Sequence, residues 1–180
     1  MAGSIEEHFE ELADLGREDY GSYLFVKHGA SDGILQQYGI DPTNLEIKKI
    51  ADLFWSEQGP RVFVSVMPTG DSDWVAFGEH GVDLIGRRIL ESVSRGTTAL
   101  LLGFTTGFPR IRIAVDGSLV RTISPTESGY DPTVALEEET GLGFGSAGGQ
   151  VGTFLFIERM TGLRMTKQWM LGPNPTASVS

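Results

Sequence analysis

Apolar and polar residues follow two rhythms along this chain, and the switches between them mark its elements. Ile5, Phe9 and Leu12 recur at helical spacing among Glu6, Glu7, Glu10, Glu11 and Asp14. Residues 5–15 therefore predict an amphipathic helix, capped by Ser4 and stopped by Gly16. Ser22 to His28 (SYLFVKH) predicts a strand from its aromatic and β-branched content. Ser31 to Tyr38 predicts a short helix ended by Gly39. Asp41-Pro42 then opens a helical region over Leu45 to Trp55, because Ile47, Ile50, Ala51, Phe54 and Trp55 keep helical spacing until Gly59-Pro60 breaks it.

The middle of the chain changes to period two. Arg61 to Met67 places Val62, Val64 and Val66 on one face. A turn at Pro68 to Asp71 leads into a second strand, Asp73 to Gly78, in which Trp74 and Ala76 share one face and Val75 and Phe77 the other. Leu84 to Val93 predicts a helix with Ile85, Ile89 and Val93 along one stripe. Three strands follow at Thr97 to Phe104, Pro109 to Val115 and Leu119 to Ile123. Asp116-Gly117, between the last two, is the strongest hairpin signal in the chain, since both residues accept the positive φ of a tight turn. The end returns to helices. Asp131-Pro132 opens one through Thr140, Gly141 to Gly152 reads as a glycine-rich joint, and Thr153 to Met160 and Met165 to Leu171 predict two more. Strands do not alternate regularly with helices, so the expected fold class is α+β. The expectation is a single domain over residues 1–171: a mostly antiparallel sheet of about six strands, helices at both ends of the chain packing on it, and one face covered. Residues 172–180, rich in Pro, Ser, Thr and Gly, read as a flexible tail.

Charge narrows the partners. Against 14 Lys and Arg stand 24 Asp and Glu, giving a net charge of −10. Such a field repels phosphate backbones and anionic lipid heads, and none of the short Arg and Lys groupings is dense enough to reverse it. The expected partner is another protein, a basic one fitting best, with no nucleic acid and no membrane. The absence of cysteine excludes disulfides, cysteine-ligated metal centres and thiol nucleophiles. No stretch approaches the ~18 apolar residues of a spanning helix, and the acidic start does not read as a signal peptide, so a cytoplasmic protein is expected.

Candidate chemistry is sparse. Gly143 to Gly148 matches G-x-G-x-x-G in spelling, but a dinucleotide site needs a strand before it, and the pattern here predicts a helix. Asp71, Asp73, Glu79, His80 and Asp83 gather around one hairpin, where oxygen and imidazole ligands suit a metal, yet their spacing matches no calcium loop or H-E-x-x-H motif. Turn chemistry and a solvent-facing edge account for them as well. His8, His28 and His80 read as exposed histidines in want of a partner. Trp74, with Phe77, Trp55, Phe104 and Phe108, reads as core before it reads as a ligand pocket. Arg95, in Ser94-Arg95-Gly96, complements a helix C-terminus and could also clamp an anion. The candidate surface is therefore Asp73, Trp74, Glu79, His80, Asp83 and Arg95, with no catalytic residue, metal or cofactor assigned.

The order of motifs carries a resemblance. SYLFVKHGASDGILQQYGID, WVAFGEHG, LESVSRGTTALLLGFTTGFPRIRIAVDGSLVRTISP, YDPTVALEEETGL and FIERMTGLRMT resemble, in sequence and spacing, an uncharacterised family of small actinobacterial proteins known only as a domain of unknown function. The resemblance spans Tyr20 to Leu171, with His80 where that family often has Asn before the glycine. It implies an α+β fold and brings no established activity. The leading expectation is a non-enzymatic protein-interaction module, such as an immunity or antidote protein against a basic toxin. The alternatives are a small-molecule or metal-dependent enzyme built on the Asp71–Asp83 segment, and a phage or host accessory protein with a structural role.

Overall fold

An unbroken apolar run at strand spacing fills both faces of a sheet, so SYLFVK belongs in a strand covered on both sides. It forms β1 (Ser22–Lys27), in which Tyr23, Leu24, Phe25 and Val26 are all 1% exposed or less. The structure, a computed structural model, describes residues 21–49, 62–81, 86–105, 108–125, 130–145 and 149–179, with Glu10 and Leu53. Its other strands are β2 (Glu46–Lys48), β3 (Val62–Met67), β4 (Trp74–His80), β5 (Thr98–Thr105), β6 (Phe108–Val115), β7 (Ser118–Ile123) and β8 (Asn174–Val179). They make one sheet in the order β2-β8-β3-β4-β1-β5-β6-β7, and every neighbouring pair is antiparallel.

The fold class stands as α+β with an antiparallel sheet, but the count of about six strands is corrected to eight among the described residues. Both additions come from misread segments. Asp41 caps a single 3-10 turn, Pro42–Asn44, after which the chain is extended through Glu46–Lys48, not helical from Leu45. The rest of that expected helix, apart from Lys49, which is not helical, and Leu53, lies outside the described residues, as does the helix expected over 5–15 apart from Glu10. The supposed tail is β8, seated between β2 and β3. Thr176 is buried there, and its hydroxyl lies 2.8 Å from that of Ser65 on β3. A β-branched Thr serves a strand as well as Val does when its hydroxyl has a partner, which the polar composition concealed.

Helices cover both faces of the sheet, not one. On the first face Tyr23, Phe25, Trp74, Leu100, Leu102, Ile111 and Ile113 pack beneath α3 (Gly149–Thr161) and α4 (Lys167–Leu171), which contribute Phe154, Phe156, Ile157 and Met170. On the second, Leu24, Val26, Phe77, Ala99 and Leu101 pack beneath α1 (Ser31–Gln37) and α2 (Gly86–Val93), through Ile34, Leu35, Ile89 and Leu90. Each large apolar side chain so buried contributes about 1.5–3 kcal/mol, so the two cores together dominate the stability of the sheet.

Two later expectations also change. Asp131 to Thr140 is not a helix but two 3-10 turns, Pro132–Val134 and Glu137–Glu139. Asp131 accepts hydrogen bonds from the amide and hydroxyl of Thr133, which closes the first turn early. The Gly141 to Gly152 joint is no free connector, because α3 already starts at Gly149. A Cβ at Gly149 would lie 2.2 Å from the Pro125 carbonyl oxygen, and one at Gly152 would lie 2.1 Å from that of Leu142. The glycines let the helix press directly on backbone.

Candidate interaction surface

The five described residues of the candidate surface lie in different settings. Asp73 lies at the surface, 3.8 Å from the Lys27 ammonium and 3.7 Å from His28 Nε2. Such half-exposed pairs add little. Trp74 is buried in the first core, as its large aromatic side chain implied. Glu79 and His80 were read as edge groups facing solvent, but both are interior, at 0% and 1% exposed. Adjacent on β4, they point to opposite faces of the sheet. Arg95 is exposed in the turn between α2 and β5, and Asp83 lies outside the described residues. Among the described residues no three His, Asp or Glu side chains converge as metal ligands.

Glu79 has a structural task. Its carboxylate accepts hydrogen bonds from the Ser22 hydroxyl and from the Gly86 amide at the start of α2, so it ties β4, β1 and that helix together. A Cβ at Gly86 would sit 2.9 Å from the carboxylate and 3.0 Å from Leu101, which explains the glycine there. Burial raises the Glu79 pKa above its usual value, while the hydrogen bonds from Ser22 and Gly86 and the nearby Tyr38 hydroxyl pull it back. The Tyr38 hydroxyl is close enough to feel that charge without reaching regular hydrogen-bond geometry. His80, on the other face, stands edge-on to Tyr23 with ring centres 6.3 Å apart. Burial lowers its pKa to about 4, so it is neutral near pH 7.

What the sequence did not single out is the outer margin of the sheet. Asp116 and Gly117 do form the expected tight turn, with φ of 47° and 79°. That turn is docked against the α2–β5 turn. The Gly117 amide donates to Ser94 Oγ at 3.1 Å, and the Gly96 amide donates to Asp116 Oδ1 at 3.0 Å. Past the turn the register slips. Leu119 faces Ala114 and Arg121 faces Ile113, leaving Val120 as an extra residue, a β-bulge. Leu119 is 46% exposed and Val120 58%, on a strand whose outer side has no partner strand among the described residues. The adjacent pair Leu119-Val120, which breaks alternation, was the signal in the sequence.

A buried ion pair stiffens this margin from beneath. Arg121 grips Glu139 with two hydrogen bonds, Nε to Oε1 at 3.2 Å and Nη2 to Oε2 at 2.9 Å. The Leu136 amide also donates to Glu139, and Arg121 reaches the Asp131 carbonyl. The bidentate geometry fixes the 130–140 segment onto β7. That segment presents Val134, 58% exposed, with the acids Asp131 and Glu137 at the surface.

No family model matches this sequence, and no curated protein or solved structure is measurably similar to it. No helix among the described residues is long and apolar enough to cross a membrane.

Proposed function

We propose that this chain is a non-enzymatic protein-interaction module of the immunity or antidote kind, which holds a basic partner along the margin formed by β7 and the 130–140 segment. One observation carries the reading: a six-residue strand at the end of the sheet leaves two adjacent apolar side chains, Leu119 and Val120, in water. Exposed edge strands invite added strands, and natural proteins normally blunt them with charge. The net charge of −10 adds long-range attraction for a basic partner and repels acidic competitors. A cytoplasmic setting belongs to the same reading.

Affinity capture from the native host tests it, run in parallel with wild type and a Leu119→Asp, Val120→Asp double variant. The reading expects a basic protein retained by wild type and lost by the double variant, which still melts cooperatively. A partner retained equally by both, or none above background, counts against it. An enzyme using Asp73, Glu79, His80 and Asp83 gains no support from the three described members, because Glu79 and His80 are buried on opposite faces of the sheet and Asp73 lies at the surface.

A further inference from the structure

A cleft of about 350 Å³ opens between α1 and the α2–β5 turn. Its apolar lining comes from Val26, Ile34 and Val93, and Arg95 stands among its polar lining residues. Three glycines also line it, and they differ in what holds them there. Gly29 is required by packing, since a Cβ would lie 2.8 Å from Val75 and 2.9 Å from Ile34. Gly96 is required by its φ of +71°. Gly33 answers to neither need. It sits within α1, its φ is not positive, and a Cβ there would meet nothing within 4 Å. Glycine inside a helix weakens it relative to almost any other residue. Gly33 is exposed in the first turn of α1, and the missing side chain leaves the cleft wall open there.

The polar side is equally one-sided. Arg95 is exposed, makes no ion pair or hydrogen bond with any described residue, and lays its stem across Gly117, where a Cβ would meet Arg95 Cγ at 3.2 Å. An exposed guanidinium beside an apolar floor fits a ligand with an anionic head and an apolar body. The overall charge of −10 selects between heads, because it repels a phosphate dianion more than a carboxylate monoanion. We propose that the cleft between α1 and the α2–β5 turn binds a small carboxylate with an apolar body, its carboxylate on Arg95 and its chain passing over Gly33. This site does not depend on the partner reading for β7.

Sodium octanoate, with 1-octanol as the neutral match, probes it in titrations followed by the backbone amides in NMR. Octanoate should give saturable shifts confined to residues 26–37 and 93–97, at about tenfold higher affinity than octanol, as one charge-assisted contact implies. Arg95→Ala should erase that preference while leaving octanol binding in place. Gly33→Leu should block both probes with an unchanged or higher melting temperature. Shifts that fail to saturate, that map elsewhere, or that keep the same preference in Arg95→Ala would overturn the proposal.

Discussion

The two margins of the sheet are built on opposite principles. At one end β2 is three residues long, and its exposed Ile47 stands between Glu46 and Lys48, whose charged ends meet at 2.9 Å. A short, charged strand offers an incoming chain little to pair with. At the other end β7 has six residues, an adjacent Leu119 and Val120 in water, and a bulge. Its one strong ion pair, Arg121 with Glu139, is turned inward and spends its charge on rigidity. The contrast teaches that the surface most suited to binding here is apolar and lies at the margin. Of the residues that looked like chemistry, Glu79 and His80 sit in the middle of the sheet, where Glu79 ties two strands and a helix together.

The largest expected effect strikes the centre on which both margins depend. Glu79→Ala removes the acceptor for the Ser22 hydroxyl and the Gly86 amide and leaves a cavity between β4 and α2. It should cost about 3–5 kcal/mol in urea melts. Glu79→Gln, which keeps the volume and one acceptor, should cost less than half of that. A near-neutral Glu79→Ala would mean that the centre does not carry the margins.

Acid should loosen the same centre. His80 is neutral when folded, with its pKa lowered from 6.5 to about 4. Protonation therefore favours the unfolded chain, and the stability from neutral His80, up to about 3 kcal/mol, is present above pH 6.5 and lost as pH falls toward 4. Glu79 works with the opposite sign. Its raised pKa gives stability that is present at low pH and lost as pH rises through that folded value. Stability against pH for His80→Gln should lack most of the wild-type decline between pH 6.5 and 4. An unchanged slope would place the titrating group elsewhere.

A smaller effect is confined to the β7 side. Gly117→Val forces a β-branched residue into a φ of 79° and drives it against Arg95, so it should destabilise by about 1–3 kcal/mol. Asp116→Asn should be nearly neutral, since Asn suits the turn and can still accept from the Gly96 amide. The smallest effects lie on the margins themselves. Ile47→Asp and Val120→Asp should each change stability by no more than about 0.5 kcal/mol, while Val120→Asp alone weakens partner capture. Equal loss of capture from both would erase the distinction between the margins.

Local signals made much of this legible. Asp116-Gly117 needed only the preference of two residues for positive φ, and the strand faces of Trp74, Ala76, Val75 and Phe77 followed from alternation. Errors arose where tertiary context overrode the local pattern. The runs Tyr23 to Val26 and Ala99 to Leu102 were continuous enough to signal burial on both faces, yet one covered face was expected. Asn174 to Val179 looked like a tail because its pairing partners lie more than 100 residues away. Glu79 and His80 looked exposed because polarity predicts exposure unless a partner or a neutral state is supplied, and here Ser22 and Gly86 supply one and deprotonation the other. The pair Leu119-Val120 breaks alternation in the sequence, but the bulge it makes is defined only by the register of β7 against β6.

Hydrogen exchange on the complex with the captured partner tests the central claim most directly. The amides of β1 should exchange slowly with or without partner, because they open only with the whole sheet. Those of β7, residues 118–123, should exchange fast alone and become protected on binding, while β2, residues 46–48, stays unchanged. Protection that appears at β2 or along α1 and leaves β7 as fast as before would contradict the assignment of the binding margin to β7.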